Sequence, residues 1–183
     1  MSYRNIKLVC IAIFSSVLVT GCVGFQTERI HPTNLVPEDF AFDKKTHKLV
    51  LVKVNSEANS SMLLREPGVP LDDVRSALKE SIETSGLFRK TEYWTEADYM
   101  LEVTVLPSKT MKKGSDEYFW SPARWELKDS KTGDVVFSER IVKWHEVNVN
   151  DVPDQEERNT LLVEGAVKNN IREALEQLSE LDY

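Results

Sequence analysis

The chain is poor in the residues from which small proteins build covalent or catalytic sites. It has two cysteines, three histidines and seven glycines in 183 residues. Two cysteines rule out a disulfide framework. His31, His47 and His145 lie on separate segments, and none stands in HExxH or another metal-ligand spacing. There is no glycine-rich phosphate loop, no GxSxG and no CxxC. Neither a cofactor nor a metal is therefore expected. Positive charge is also scarce: 23 Lys and Arg stand against 30 Asp and Glu, for a net charge of −7. That balance argues against nucleic acid, which rewards clustered Lys and Arg, and against a polybasic grip on anionic lipid. No apolar run reaches the roughly 20 residues that a membrane-spanning helix needs. Internal repeats and low-complexity tracts are absent.

A shorter apolar run is present. Leu8 to Thr20, LVCIAIFSSVLVT, carries no charge and follows a start that holds Arg4 and Lys7 but no acid. A basic start, a short apolar middle and small residues at its end describe a secretory signal peptide. The run closes as Val19-Thr20-Gly21-Cys22, which resembles the lipobox of bacterial lipoproteins: an aliphatic residue, two small ones, then cysteine. In that family the cysteine sulfur takes a diacylglyceryl group, a peptidase cuts before it, and the new amino group is acylated. The resemblance implies cleavage between Gly21 and Cys22, and Cys22 bearing fatty acyl chains such as palmitate. Val23 rather than Asp follows, which in enterobacterial-type sorting implies delivery to the outer membrane, facing the periplasm. Cys10 would leave with the signal, so Cys22 would have no disulfide partner. Two or more acyl chains hold a protein stably where one does not. Without Arg4 and Lys7 the net charge would become −9. The expected organisation is a signal peptide over 1–21, a lipidated cysteine and tether over 22–48, and one domain over 49–183.

Within that domain the patterning predicts strands and two helices. Leu49 to Asn55 reads as a strand with both faces partly covered. A long polar loop follows and contains Met62, Leu63 and Leu64. Leu71, Val74, Leu78 and Ile82 form one helical stripe, and Gly86 suits the left-handed position that ends such a helix. Phe88 to Trp94 reads as a short strand, and Tyr99 to Leu106 alternates as a half-buried strand that Pro107 stops. SKTMKKGSDE reads as a loop with a basic cluster, Lys109, Lys112 and Lys113. Ala123 to Lys128 alternates again, Gly133 supplies a hairpin turn, and Val135 to Val147 reads as a long strand with a bulge near Ser138 to Ile141. A final helix over about Gln155 to Leu181 carries Val163, Val167, Ile171, Ala174, Leu178 and Leu181 on one stripe, with Asp154, Glu156 and Glu157 at its amino end. Two helices with one stripe each can cover one face of a sheet. The fold class is α+β: two layers, an antiparallel or mixed sheet of about four to five strands, and both helices on one face.

Ser76-Ala77-Leu78-Lys79 matches SxxK and Lys131-Thr132-Gly133 matches KTG, both used by penicillin-binding enzymes. Ser76 falls on the far side of its helix from the apolar stripe. KTG falls in a turn, SDN is missing, and the chain is short for that fold. The pattern therefore does not indicate an enzyme. Tyr118-Phe119-Trp120 either alternates into the core or anchors a partner, since Tyr and Trp are enriched at binding hot spots. Met62, Leu63 and Leu64 either dock on their own domain or form a second partner surface.

SGLFRKTEYWTEADYMLEVTV and WELKDSKTGDVVFSERIVKW resemble segments of small periplasmic accessory lipoproteins. These domains are similar to the amino-terminal domain of the Tol-system propeller protein and to lipoproteins that activate peptidoglycan synthases. The likeness covers about Leu49 to Leu181 and rests on structural motifs, so no functional residues carry over. It implies a sheet packed by helices on one side and binding to an envelope protein complex rather than catalysis. The expected function is a lipid-anchored scaffold, assembly factor or regulator. A lipid or glycan carrier is the alternative, and a periplasmic hydrolase would need His145 clustered with acids in a cleft.

Overall fold

The computed structural model describes residues 31–38, 41–42, 46–57 and 70–182. Strand β1 (Leu49–Ser56) is followed by helix α1 (Leu71–Ser85), the two-residue strand β2 (Arg89–Lys90), β3 (Tyr99–Val105), β4 (Lys109–Lys113), β5 (Asp116–Asp129), β6 (Val135–Asn148) and helix α2 (Gln155–Ser179). The fold is α+β, with a mixed six-stranded sheet. β1 runs parallel to both β2 and β3, while β3, β4 and β6 run antiparallel to β5. β1 reaches β3 through α1, as a parallel pair requires a crossover.

β5 organises the sheet. Its first half pairs with β4 and its second half with β3, while β6 lines its other edge throughout. KTMKK, expected as a loop tip, is therefore a strand that resumes β3's place beside β5 after a break. Its alternation was masked by three lysines, because both Lys109 and Lys113 on one face and Lys112 on the other reach water. The break explains how a proline sits inside a central strand. Val105 pairs with Ala123 and Lys109 with Trp120, so Ser121 and Pro122 face the gap. The Pro122 carbonyl accepts from Leu106 N–H across that gap at 3.0 Å, so the missing N–H of Pro122 points where no ladder bond is required. The bulge in β6 lies nearer its start than expected. Leu127 faces Phe137 and Lys128 faces Val135, which leaves Val136 as the extra residue.

Both helices pack on one face. Val50, Val52 and Val54 from β1, Leu101 and Val103 from β3, and Phe119, Ala123, Trp125 and Leu127 from β5 are buried beneath them. α1 contributes Val74, Ala77, Leu78 and Ile82, and α2 contributes Leu162, Val163, Ala166, Val167, Ile171, Ala174, Leu175 and Leu178. The stripes read from the sequence lie within these sets, with Leu71 and Leu181 packed at the margin. Gly86 ends α1 with φ 69°, and Asp154 caps α2 by accepting from the N–H groups of Glu156 and Glu157. The turn Pro32–Leu35, in the segment expected as a tether, touches both helices. Leu35 is fully buried there, and Asn34 donates to Glu164 of α2 at 2.9 Å.

Two polar clusters tie the layers together. The Asn170 side chain accepts from the Trp125 indole at 2.9 Å and donates to the carbonyls of Ser121 and Ile141 at 2.6 and 3.1 Å. It thereby satisfies backbone groups beside the Pro122 gap. At the start of α2, Arg158 Nε lies 3.0 Å from Glu117, which also meets Lys112 at 2.5 Å. Burial pushes the Glu117 carboxyl up, but hydrogen bonds from Lys112 and Arg158 outweigh it and hold it below its ordinary value.

Candidate functional site

Side chains directly opposite one another on paired strands share a face. Phe119 and Trp125 point to the helices, so Tyr118, Trp120, Pro122 and Arg124 point to the face that neither helix covers. The register extends that face in rows. Met111, Tyr118 and Glu146 form one row; Lys109, Trp120 and Trp144 form the next; Val142 forms a third with Pro122, which is itself buried. The Tyr118 and Trp120 rings stack at 5.9 Å between centroids, and Tyr118 meets Trp144 at 5.7 Å in a tilted arrangement. Met111, Val142 and Trp144 are 41%, 42% and 48% exposed, so the patch is open to solvent rather than closed by its own neighbours. Such contiguous apolar exposure marks interaction surfaces. Burial, and then the Glu146 carboxylate that accepts its hydrogen bond, raise the Tyr118 phenol above its ordinary value.

The aromatic run thus divides. Tyr118 and Trp120 are half-buried on the open face, while Phe119, 3% exposed, belongs to the core. Trp144, Met111 and Val142 were not singled out from the sequence. The even positions of β6, Val142, Trp144 and Glu146, carry the signal, since one of the two faces of a strand beside Trp120 had to receive Trp144. Cys22, Gly21, Met62, Leu63 and Leu64 lie outside the described residues. A second pair of aromatics, Tyr93 and Trp94, is exposed in the β2–β3 connection, with the Lys53 ammonium 5.2 Å from the Trp94 ring.

Two concavities are present, one of them bordering the patch at Trp144 and Glu146. An apolar cavity of about 50 Å³ sits between sheet and helices, lined by Val74, Val105, Leu106, Phe119, Val167 and Asn170 among others. A shallow polar groove of about 480 Å³ follows β6 and α2, where His145, Trp144, Arg172, Glu173 and Glu176 meet. His145 packs against α2 at Gly165, where a Cβ would fall 2.3 Å from the imidazole. Burial lowers its basicity, Glu146 opposes that, and Lys168 reinforces it. In the same groove Glu173 is held by Lys143 at 2.5 Å. Among the described residues no group of three or more His, Cys, Asp or Glu gathers as a metal site would. Ser76 donates back to the Asp72 carbonyl of its own helix, Lys79 is held by Glu92, and Thr132 donates its N–H to Asp129 in the hairpin turn. Each element of the SxxK and KTG pattern is thus engaged locally.

No protein-family model matches the chain, and no curated protein matches it. Solved bacterial structures do. The hypothetical protein CT253 from Chlamydia trachomatis superposes with a TM-score of 0.58 at 10% identity, over 73% of this chain and 96% of that one. Protein XCC0632 from Xanthomonas campestris gives 0.57 at 14%, over 76% and 87%. PelC from Paraburkholderia phytofirmans, solved as a dodecamer, gives 0.51 at 15%, over 78% and 95%. At these identities the likeness is one of fold: the chain shares an α+β architecture with these three proteins.

Proposed function

We propose that the protein is a lipid-anchored, non-enzymatic accessory protein of the bacterial envelope. Cys22 carries the lipid, the domain faces the periplasm from the outer membrane, and the uncovered sheet face docks a protein of an envelope complex. The observation that carries this reading is the cluster of exposed Trp144 and Met111 with half-buried Tyr118 and Trp120 on a face without helices. Large, rigid aromatics at the centre of an open patch are the usual anchors of a protein interface. The carrier alternative has less support: about 50 Å³ beneath the helices is far below the roughly 300 Å³ at which ligand sites begin, and the larger groove along β6 and α2 is shallow and lined mainly by charged side chains such as Lys143, Arg172, Glu173 and Glu176.

Two measurements test it. Metabolic labelling with palmitate should mark the wild-type protein and leave Cys22→Ser unmarked and released from envelopes. Affinity purification of the lipidated protein from its own membranes should recover a specific envelope protein, and Trp120→Ala with Trp144→Ala should lose it while unfolding cooperatively. Recovery undiminished by that double substitution would move the docking site off this face. Met62→Ala, Leu63→Ala and Leu64→Ala together test the second candidate surface in the same way. Because PelC is solved as a dodecamer, the mass of the purified chain in solution is measured alongside. A mass that falls with the same double substitution would favour self-assembly over a foreign partner.

A further inference from the structure

Among the described residues β2, β4 and β6 are each paired on one side only, and these margin strands differ. β2 is the dipeptide Arg89–Lys90 and β4 is KTMKK, so both are short and basic. Short strands and lysines keep a sheet edge from pairing with another chain. β6 is the exception: it is 14 residues long and pairs only with β5. Four of the eight exposed large apolar side chains among the described residues are on it, namely Val135, Val136, Val142 and Trp144. The bulge at Val136 and the charges of Glu139 and Arg140 interrupt its first half. From Val142 onward there is no bulge, and Lys143 is held by Glu173 on the helix side.

The outer edge of β6 also presents backbone. Along a strand in a sheet, successive residues turn their N–H and C=O groups to opposite neighbours. The Pro122 carbonyl faces β3, where Leu106 N–H reaches it at 3.0 Å. Val142, paired with Pro122, therefore turns its groups away from β5, and Arg140, Trp144 and Glu146 do so in the same register. The Trp144 carbonyl bears this out, since it accepts from the Asn169 side chain of α2 at 3.1 Å. The other outward N–H and C=O groups of these four residues have no protein partner among the described residues.

We propose that β6 takes up an extended segment of a foreign protein as a seventh strand, with alternate residues of that segment apolar. This rests on the docking reading above and names the form of the partner. Free N–H and C=O groups that recur at every second residue are matched by the backbone of another strand, a recurrent mode of peptide recognition. On the open side, one set of the segment's side chains lies beside Val142 and Trp144. The residues between them reach the polar groove at Asn169, Glu173 and Glu176. A second copy fits this edge less well than a lone strand. Edge-to-edge pairing about a two-fold axis keeps both helix layers on one side of the sheet. Because α2 packs over β5 and β6, it would meet its copy about 10 Å away, two strand spacings. Helices that close pack side chain into side chain, and the side chains there are polar or charged: Asn169, Arg172, Glu173 and Glu176.

The test places p-benzoylphenylalanine at Ser138 or at Glu146, outward positions eight residues apart on β6, in the full lipoprotein, irradiated in its own cells. Mass spectrometry then identifies the crosslinked residues. The expected result is one foreign protein, with the two adducts about eight residues apart in a single segment of alternating apolar residues. Val142→Pro separates backbone from side chain, because it removes an outward N–H and leaves the β5 ladder whole. The yield should fall about tenfold with Val142→Pro and less than about threefold with Val142→Ala. Val142→Pro should still unfold cooperatively, within a few degrees of Val142→Ala. A Val142→Pro chain that does not fold would show that this N–H serves the fold, and would overturn the free edge. Proline no worse than alanine, adducts in unrelated segments, adducts only with lipid, glycan or a second copy, or no adduct would each overturn the added strand. The docking reading is judged separately, by whether Trp120→Ala with Trp144→Ala loses the co-purified partner.

Discussion

One sheet presents two faces, and they differ in how they treat the same residue type. On the helix side Trp125 is 1% exposed, and its indole N–H is spent on Asn170. On the open side Trp144 is 48% exposed and its ring lies against Tyr118. The first tryptophan is held by burial and a hydrogen bond, as a core aromatic must be. The second is half in water, and among the described residues its indole has no hydrogen-bond partner, so the fold takes much less from it than from Trp125. Adjacent residues sharpen the contrast. Phe119→Ala should cost about 4 kcal/mol, or a fall of roughly 10 °C in the unfolding midpoint, because it opens a cavity in the core. Trp120→Ala should cost about 1 kcal/mol, yet it should abolish partner capture. Thermal unfolding and co-purification of the two variants together break the comparison if both behave alike.

The helix side also depends on a polar group that no hydrophobic pattern would place there. Asn170→Ala strands the Trp125 indole and the Ser121 and Ile141 carbonyls. A loss of about 2 kcal/mol is expected, since buried groups left without partners cost more than the bonds they made. Urea unfolding of Asn170→Ala and Trp125→Phe, singly and combined, should show strong non-additivity. Additive losses would mean that the clip does not act as a unit.

How far these two faces could be read from the sequence follows from the same contrast. The helix side was legible because burial imposes a period. Val74, Leu78 and Ile82 repeat at helical spacing, Leu101 and Val103 alternate, and Gly86 marks an end that only a left-handed residue makes cheaply. The open side was not legible. KTMKK has no apolar alternation, since both its faces reach water at the sheet margin, and its strand conformation is supplied by β5. Trp144 could be called outward-facing only once the β5–β6 register placed it beside Trp120. Leu35 lies in a proline-containing segment without periodicity, and only the cleft between two helices explains its burial. Asn170 looked like one polar residue in a helix, and its role needed the Pro122 gap to be seen.

A third way to sharpen the comparison lies where α2 meets the sheet edge. Glycine in a helix interior ordinarily costs about 1 kcal/mol relative to alanine, so Gly165→Ala should stabilise an isolated helix. Here the added Cβ would strike the His145 ring at 2.3–2.7 Å, and overpacking should reverse the sign to a loss of about 1–2 kcal/mol. With His145→Ala in place the clash is gone, and Gly165→Ala should become stabilising. A double-mutant cycle by urea unfolding checks this. If Gly165→Ala keeps the same sign in both backgrounds, the close approach is not why glycine stands there.

The smallest effect expected is a response to acid, and its sign is the same for two groups on the helix side. His145 is a base whose basicity burial lowers from an ordinary value of 6.5. Its neutral form suits the fold, and the unfolded chain takes up the proton first. Stability is therefore complete above about pH 6.5 and declines as pH falls below it. Glu117 is an acid held below 4.5 by Lys112 and Arg158. Its ionised form suits the fold, so its contribution is present above pH 4.5 and is lost as pH falls further. The unfolding midpoint should decline in two stages on the acid side, with no matching loss above neutrality from either group. His145→Gln should flatten the upper stage alone, and Glu117→Gln the lower alone, while both keep the open face unchanged. The upper stage should be shallow, because His145 is only half-buried and solvent screens much of its cost. A midpoint that is flat from pH 7 to 5 in the wild type, or one unaltered by His145→Gln, would show that α2 does not hold the imidazole neutral against Gly165.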